Sequence, residues 1–347
     1  MIDKYHNQAA QTGSMRCIYR WLRPLACILL LSAQNPALAE LISPITLSNY
    51  SPVVAIHGLP YIGDAQVLKP GRSDFQLMYD DSSHYAIDFN DNEYILLDGE
   101  THRSTFIYRQ GLTNGLEAGL VVPYLKHTAG GLDSFINEWH QFFGFPQGGR
   151  ELTANNQFRY QYIRHSRTRF DMRTASGGIG DIRLQGAWQV QNDATRASAL
   201  ALSIKLPSGD SEQFQGSGAT DVALWYKHEA QQVFFGYRGG SFYSLGVLYV
   251  GRGDILPDMV NPVVGFGNIG AGVSLGDNAV FVSQLDINSP FYSSSDLVEL
   301  GSYAVQLTLG SRIKFAPYGQ ISLGLAEDLV IDASPDVTFH VAVELKF

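Results

Sequence analysis

The C-terminal segment of the chain alternates strictly between apolar and polar residues. In DVTFHVAVELKF, Asp336 to Phe347, every second residue from Val337 onward is apolar, and the residues between them are mostly polar or charged. Successive side chains of a β-strand point to opposite faces, so this strand has one apolar and one polar face. Two environments accept such a strand: a soluble β-sandwich with its apolar face inside, and a membrane barrel with its apolar face toward lipid.

The same alternation recurs from Ser73 to the C-terminus. Short alternating segments are separated by turn residues, which is typical of an all-β fold. The clearest further examples are 181–190, 199–206, 303–314 and 320–325.

Three features favour the membrane barrel over the sandwich. Segments of about ten residues have the length that a tilted strand needs to cross a bilayer. The last residue, Phe347, is an aromatic that ends an alternating strand, and we interpret it as a barrel-assembly signal. Aromatic residues also recur near strand ends, as the interfacial girdles of membrane barrels require: Tyr124, Tyr226, Tyr249 and Tyr318.

We therefore predict an all-β protein, a transmembrane antiparallel up-and-down β-barrel of about 14 strands, within a range of about 12–16. Composition agrees, because charged residues make up 16% of the chain, against the usual quarter or so. After Leu31 no apolar run approaches the roughly 18–20 residues of a spanning helix. The net charge of −9 without a basic patch argues against nucleic acid as a partner.

The N-terminus has the features of a secretory signal peptide, residues 1–39. A basic stretch from Met15, the expected start, precedes an apolar stretch and an A-x-A pattern that ends at Ala39. Both cysteines, Cys17 and Cys27, fall inside it, so the mature chain is expected to be free of cysteine and of disulfides. The sequence thus predicts export to the outer membrane of a Gram-negative bacterium.

The mature chain divides into two parts. Residues 40–72 hold four prolines and no sustained period, which indicates an irregular lead-in or a plug, and residues 73–347 form the predicted barrel. Within the barrel, GGLDSFINEWHQFFGFPQGGR (130–150) has apolar residues at helical spacing. It predicts one amphipathic helix over 131–143, on the periplasmic side at the lipid interface or the barrel mouth.

Two segments leave the strand number open. Residues 231–250 form one long strand or a hairpin at Gly239-Gly240, and residues 156–173 leave the same choice at Ser166. Counted back from a periplasmic C-terminus, with 231–250 as a single strand, three longer loops lie outside the cell: 207–217, 251–263 and 288–301.

Several stretches resemble known families. LLDGETHR (96–103), the 130–150 segment and the closing SPDVTFHVAVELKF resemble a proteobacterial domain-of-unknown-function family, number thirty-one eighty-seven, over most of the mature chain. GIGDIRLQGAW (178–188), ALSIKLPSGD (201–210) and GSGATDVAL (216–224) resemble the outer-membrane phenol meta-pathway transporter family. Together the resemblances imply an outer-membrane barrel and a channel for small apolar compounds. Neither supplies catalytic residues.

Two groups of residues are candidate sites. One is a polar cluster in the helix and its neighbouring loops, which could share a ligand, a proton or an ion, or could serve only for helix capping and charge neutralisation: Asp98, Glu100, Asp133, His140 and Arg150. The other consists of charged residues that point inward if the strand registers hold: Asp181, Arg183, Asp221, Lys227, Arg312, Lys314, His340, Glu344 and Lys346. Such residues tune solute selectivity in an open lumen, or form ion pairs in a filled one.

No residue pattern indicates an enzyme, a metal site or a cofactor. Barrel lipases need a serine and a histidine on one face, whereas the adjacent His165 and Ser166 would point to opposite faces of a strand. The histidines are scattered without metal-ligand spacing.

Three hypotheses about function follow, in this order. The first is a passive pore or uptake channel for small solutes, hydrophobic ones included; the second is a structural or interaction barrel with a filled lumen; the third is a membrane lipid hydrolase. The expected partners are the lipid bilayer, the outer-membrane insertion machinery and a small-molecule solute, with no cofactor.

Overall fold

A computed structural model describes residues 41–144, 155–330 and 333–347 of the chain. In that part of the chain, fifteen strands and three helices are present, with the following bounds: β1 Ser73–Phe89, β2 Glu93–Thr113, β3 Leu116–Thr128, β4 Arg159–Arg164, β5 Arg167–Met172, β6 Ser176–Ile179, β7 Arg183–Asn192, β8 Arg196–Lys205, β9 Asp221–Phe234, β10 Tyr237–Tyr249, β11 Val263–Ser274, β12 Ala279–Asn288, β13 Ala304–Ala316, β14 Gly319–Asp328, β15 Val337–Lys346, α1 Pro52–Ala55, α2 Asp133–Phe143 and α3 Val298–Gly301.

Twelve of the strands close into an antiparallel barrel. β1 pairs with β2 on one side and with β15 on the other, β2 pairs with β3, and β3 pairs with β7. From β7 to β15 each strand pairs with the next. Each of these twelve described strands is paired on both sides, so closure removes the unpaired edges that a strand in lipid could not tolerate. The predicted antiparallel barrel is confirmed, and the predicted strand number is approximately right: 12 strands form the barrel and 3 are additional.

The three additional strands extend the wall. β6 continues the line of β7 along β3. β4 pairs with 93–98 of β2, beyond the point where β15 stops pairing with β1, and β5 pairs with β4. We call residues 84–89 and 93–98 together with β4 and β5 the cap sheet.

The chain termini of the barrel lie at one end, the terminal end. The Ser73 N–H donates to the Phe347 carbonyl (3.0 Å), and the Phe347 N–H donates to the Ser73 carbonyl (2.8 Å). Short turns lie at this end, and the long connections lie at the opposite end, the loop end. One of the short turns, Phe235-Gly236, makes residues 231–250 a hairpin, and it lies four residues before the expected Gly239-Gly240.

Helix α2 follows β3 and therefore lies at the loop end, with the three long loops. The expectation that it lies at the same end as the C-terminus is wrong. The reason is that residues 159–172 form a hairpin, β4 and β5, rather than one strand, which adds a reversal of chain direction.

The outer surface of the barrel is apolar. On β10, for example, Leu245 is 71% exposed and Val247 is 52% exposed, whereas the alternate residues Phe242 and Leu248 are buried. The same holds for the predicted outward residues Leu184 and Leu202. Within the described ranges no helix is long and apolar enough to cross a membrane.

Residues 41–68, which we call the lumenal segment, lie inside the barrel. They are mostly buried, and they hydrogen-bond to residues on strands around the whole wall: Asp80 of β1, Glu117 of β3, Glu229 of β9 and Gln284 of β12.

The lumenal segment crosses the barrel twice. Ile42 packs beside the terminal-end half of β11, and Asn49 donates to Asn288 at the loop end of β12. After the single turn of helix α1 at the loop end, the chain descends until the Leu68 N–H meets Glu117 near the terminal end. There it continues into β1. The lumen thus holds two passes of the chain's own backbone.

Candidate functional site: the occupied lumen

Inward glycines of the wall leave room for the lumenal segment. A Cβ atom on Gly310 would lie 3.1 Å from Ile45 Cγ1, and one on Gly324 would lie 3.3 Å from Ile45 Cγ2. A Cβ atom on Gly272 would approach Ile42 Cγ2 to 2.8 Å. At Gly324 the lumenal segment is the nearest neighbour, so a larger residue there would push the segment away from the wall. At Gly310 and Gly272 an added Cβ atom would also meet wall carbonyl oxygens, 2.5 Å from Leu323 O and 2.7 Å from Phe281 O.

The side chain of Gln284 binds the backbone of the lumenal segment from both sides. The Ile45 N–H donates to Gln284 Oε1 (2.8 Å), and Gln284 Nε2 donates to the Ile45 carbonyl (3.0 Å). This reciprocal pair is the pattern of two neighbouring strands, made here by a side chain. It satisfies buried backbone groups that would otherwise cost free energy.

At the loop end a buried lysine holds the turn of the lumenal segment. Lys205 Nζ donates to the Ile56 carbonyl (3.1 Å) and to Ser217 Oγ (2.6 Å), and it forms ion pairs with Asp181 and Asp221. Two carboxylates around one ammonium group compensate a charge that could not otherwise be buried.

Arg183 binds the segment directly, and His340 contacts it through Asp80. Arg183 donates to the carbonyl oxygens of Leu59 (2.6 Å) and His57 (3.2 Å). His340 Nδ1 lies 2.6 Å from Asp80, which accepts a hydrogen bond from the Tyr50 hydroxyl (2.9 Å).

At the terminal end one carboxylate of the lumenal segment contacts three cations of the wall. Asp64 lies 3.3 Å from Arg312, 3.3 Å from Lys346 and 3.9 Å from Arg109. We call these four residues the Asp64 latch. Acidic wall residues around it balance the cations: Asp74, Glu117 and Glu344.

A cavity of about 40 Å³ lies beside the latch, lined among others by Asp64, Lys227 and Glu344. This volume holds a few water molecules and is too small for a solute path.

The cap sheet and the loops pack over the loop end of the lumen. Tyr160, Tyr162 and Phe170 of the cap sheet belong to one buried cluster with Val53 of α1 and Phe291 of the β12–β13 loop. Arg169 on β5 donates to Asp258 in the β10–β11 loop. The hydrogen bond from Arg169 holds the pKa of the Asp258 carboxyl below its ordinary value.

The structure brings the nine charged residues predicted to face the lumen into separate groups. Asp181 and Asp221 share Lys205, whereas Arg312, Glu344 and Lys346 surround Asp64. Arg183 contacts the lumenal segment, and His340 contacts Asp80 of the Tyr50–Asp80 pair. Lys227 lines the small cavity. Lys314 is exposed near the terminal end.

Sequence reasoning missed Asp64, Arg109 and Lys205. Lys205 occupies a polar position in the alternation of 199–206, so the period of two could have indicated that its side chain points into the lumen. Asp64 lies in an irregular segment where no period indicates which way a side chain points.

The helix and loop polar cluster separates into different contacts. Glu100 Oε1 accepts hydrogen bonds from the N–H groups of Gly131 (2.9 Å) and Leu132 (2.5 Å), just before α2. Asp133 Oδ2 accepts from the Asn156 N–H (2.6 Å), and Asp98 is buried. Arg150 and the side chain of His140 lie outside the described part of the chain.

The proposed assembly signal and the proposed hydrolase pair were also located in the structure. Phe347 is 53% exposed and contacts the rings of Phe75 and Tyr318, with centroids 5.9 and 6.5 Å away. His165 and Ser166 form the turn between β4 and β5, both with positive φ, and not a strand.

A closed antiparallel wall with an apolar outside and a polar inside defines an outer-membrane-type β-barrel. The chain is similar to a solved structure, the COG4313 outer membrane channel from Pseudomonas putida F1, with a TM-score of 0.55 and 11% identity over 82% of this chain and 98% of that chain. The NanC and KdgM porins match with TM-scores of 0.41 and 0.40 and identities of 9% and 8%, over 79% of this chain and 98% and 99% of theirs. These two scores are too low to add to the argument.

The chain belongs to the family described as protein of unknown function (DUF3187), whose model matches residues 22–347. This confirms the first resemblance, while the resemblance to phenol meta-pathway transporters stays a prediction. A comparison with curated proteins found no match. The fold is that of bacterial outer-membrane proteins, and it implies a lipid bilayer as the environment.

Proposed function

We propose that this protein is an outer-membrane channel that its own N-terminal segment closes, and that opens when this segment is displaced. The observation that carries the proposal is the lumenal segment itself. It fills the barrel, yet it is bound to the wall through side-chain hydrogen bonds and ion pairs and not as a strand of the sheet.

The energetics of these contacts support displacement. Each hydrogen bond between the segment and the wall has a net value of only about 0.5–1.5 kcal/mol, because water replaces it when it breaks. The wall keeps all its strand pairs when the segment moves, since none of them involves residues 41–68. Opening therefore needs no strand to leave the sheet.

The vacated lumen would favour small polar or charged solutes, taken up passively. Without the lumenal segment, its lining includes Arg109, Lys227, Arg312 and Glu344, and rings of charged side chains select among hydrated solutes. The terminal end would face the periplasm and the loop end the exterior. Residues 1–39 would act as a cleaved signal peptide, and β15 with Phe347 would be read by the insertion machinery.

A second candidate is a structural barrel that stays filled. The apolar contacts of α1 favour it, because Val53, Val54 and Ile56 belong to a large buried cluster with Phe266 and Tyr292. Removing such side chains from their packing costs about 1.5–3 kcal/mol each. This part of the segment resists displacement more than the rest.

Planar-bilayer conductance separates the two candidates. Wild-type protein is compared with a variant that lacks residues 41–68 and with the double variant Ile45→Cys/Gly324→Cys, whose disulfide would tie the segment to the wall. We expect steady conductance from the deletion variant, brief openings from wild type, and none from the double variant until a reductant is added. A folded deletion variant without conductance would exclude the channel and leave the structural barrel.

A further inference from the structure

A polar cluster lies on the outer face of the barrel, where the surrounding positions are apolar. Asp81 on β1 is directly opposite His102 on β2, and Glu100 precedes His102 by two residues on the same face. Tyr79, two residues before Asp81, is 46% exposed on this outer face. The cluster is near the loop end, since Asp81 pairs with Phe339, the third residue of β15.

Helix α2 lies beside this cluster. The N–H groups at its start donate to Glu100, and Phe135 of the helix contacts Phe339 with ring centroids 5.8 Å apart. Glu100 is only 2% exposed, so its carboxylate is enclosed between the helix start and the wall.

Three metal-ligating groups converge in the cluster. One ligand atom each from Asp81, Glu100 and His102 lies within 4.8 Å of the other two. A cation bound at about 2.0–2.2 Å from each atom needs only small side-chain rotations to join them. His102 Nδ1 lies 3.0 Å from Asp81 Oδ1. That oxygen is shielded from solvent and accepts no hydrogen bond from the described residues.

The other nitrogen of His102 is held in the way that metal-binding imidazoles are. Nε2 lies 3.1 Å from Thr128 Oγ1, and Thr128 Oγ1 accepts a hydrogen bond from the Gly130 N–H (3.1 Å). When Nε2–H donates to Thr128, the lone pair of Nδ1 points toward the carboxylates. A proton on Nδ1 or a metal cation would join Nδ1 to Asp81 Oδ1, and the Tyr79 hydroxyl lies 3.2 Å from Nδ1.

We propose that Asp81, Glu100 and His102 bind a divalent transition cation of the Zn²⁺ class, with Thr128 as the residue that orients His102. One imidazole and two carboxylates match this class, and the open side of the site would accept water or a lipid phosphate. Ca²⁺ and Mg²⁺ fit less well, because three protein ligands with one nitrogen fall short of the all-oxygen shells that they prefer. The sequence predicted no metal site, because only the β1–β2 register brings these residues together.

The test is isothermal titration of the full-length mature protein in detergent, prepared without a polyhistidine tag, with ZnCl₂. We expect one ion per chain. Asp81→Asn and His102→Ala should each weaken binding by at least tenfold, and Thr128→Val should weaken it about 10- to 100-fold as loss of an outer-shell partner does. The matched control is His228→Ala, which removes another partly exposed histidine with aromatic neighbours, and it should leave binding unchanged.

Two further measurements cover variants that fold poorly. Glu100→Gln keeps an oxygen for the helix N–H groups, so it should fold and still bind Zn²⁺ more weakly. Thermal melting of wild type should shift upward with Zn²⁺ and return with a chelator, because a ligand that binds only the folded state stabilises it. The proposal is overturned if wild type binds no Zn²⁺, if folded Asp81→Asn binds as well as wild type, or if Ca²⁺ binds more tightly than Zn²⁺.

Discussion

A single carboxylate of the lumenal segment, Asp64, meets three cations of the wall. Other segment contacts in this region are hydrogen bonds of its backbone, such as that from the Ala65 N–H to Glu229 and that from Gln189 Nε2 to the Ala65 carbonyl. At the scale of residues, the Asp64 latch is therefore where the segment and the wall depend most on charge.

Asp64→Asn should loosen the segment without unfolding the barrel. A hydrogen bond to a charged group is worth about 1.5–3 kcal/mol, and Glu344 remains to neutralise Arg312 and Lys346. The open fraction of single channels should rise about tenfold or more. Asp193→Asn, a change in an exposed turn at the same end, is the control and should leave the open fraction unaltered. An unaltered open fraction in Asp64→Asn would count against the latch.

At this scale the sequence is informative only where the period of two applies. Arg183 and Asp221 each begin a strand, and Asp181 precedes Arg183 by two residues, so the period of two places all three among the polar positions. Their partners were not foreseeable. The partners of Arg183 and Lys205 are backbone carbonyl oxygens of Ile56, His57 and Leu59. Because every residue has a backbone carbonyl, no residue type in the sequence indicates such a partner.

At the scale of elements, the fit between the lumenal segment and the wall depends on backbone proximity. Gly324→Val would place methyl groups where Ile45 lies, since Ile45 Cγ2, at 3.3 Å, is the nearest neighbour of a Cβ atom there. We expect the segment to be displaced locally and conductance to increase. Gly265→Ala, whose Cβ atom would meet only Ser289 Oγ at 4.0 Å, should behave like wild type. Equal conductance in both variants would show that the segment tolerates the wall residue.

The cap sheet offers a test by pH. The pKa of Asp258 is lowered by Arg169 in the folded state, so this contact stabilises at pH values above the ordinary Asp pKa of about 4. The stabilisation disappears as the pH falls through the lower, folded-state value. Because Asp258 is 59% exposed, the effect is at most about 1 kcal/mol.

Thermal melting of wild type and Asp258→Asn should therefore differ slightly at pH 7, and the difference should shrink as the pH falls below the ordinary Asp pKa of about 4. A difference that persists in acid would mean that the substitution acts through something other than the carboxylate charge.

Helix α2 shows what the sequence says about elements and what it leaves out. The apolar spacing in 130–150 correctly indicated a helix, and the structure has it at Asp133–Phe143. Its end of the barrel was predicted wrongly, because strand number parity depends on the short hairpin turn at His165-Ser166. Short strands of six residues carry too few alternations to be counted from sequence alone.

At the scale of the whole molecule, closure depends on the contact between the first and last strands. Phe347 packs against Phe75 across this seam and against Tyr318. Phe347→Ala should remove aromatic contacts worth about 0.5–1.5 kcal/mol each and reduce the amount of assembled barrel. The measurement is the heat-modifiable mobility of membrane extracts, with Phe315→Ala, an exposed aromatic on β13, as the control.

The whole-molecule fold was the most predictable level. Alternation, strand length and a final aromatic sufficed for a closed antiparallel barrel, because lipid outside and polar groups inside constrain every strand in the same way. The interior arrangement was not predictable, since an irregular chain satisfies its backbone with whichever side chains the closed wall supplies.

The lumenal segment begins and finishes at the terminal end, with its turn at the loop end. A segment that turns back inside the barrel can leave it as a loop, so that no chain end has to pass through the lumen. Displacement of the segment toward the terminal end would therefore empty the barrel, and the connection to β1 would keep the segment attached to the wall.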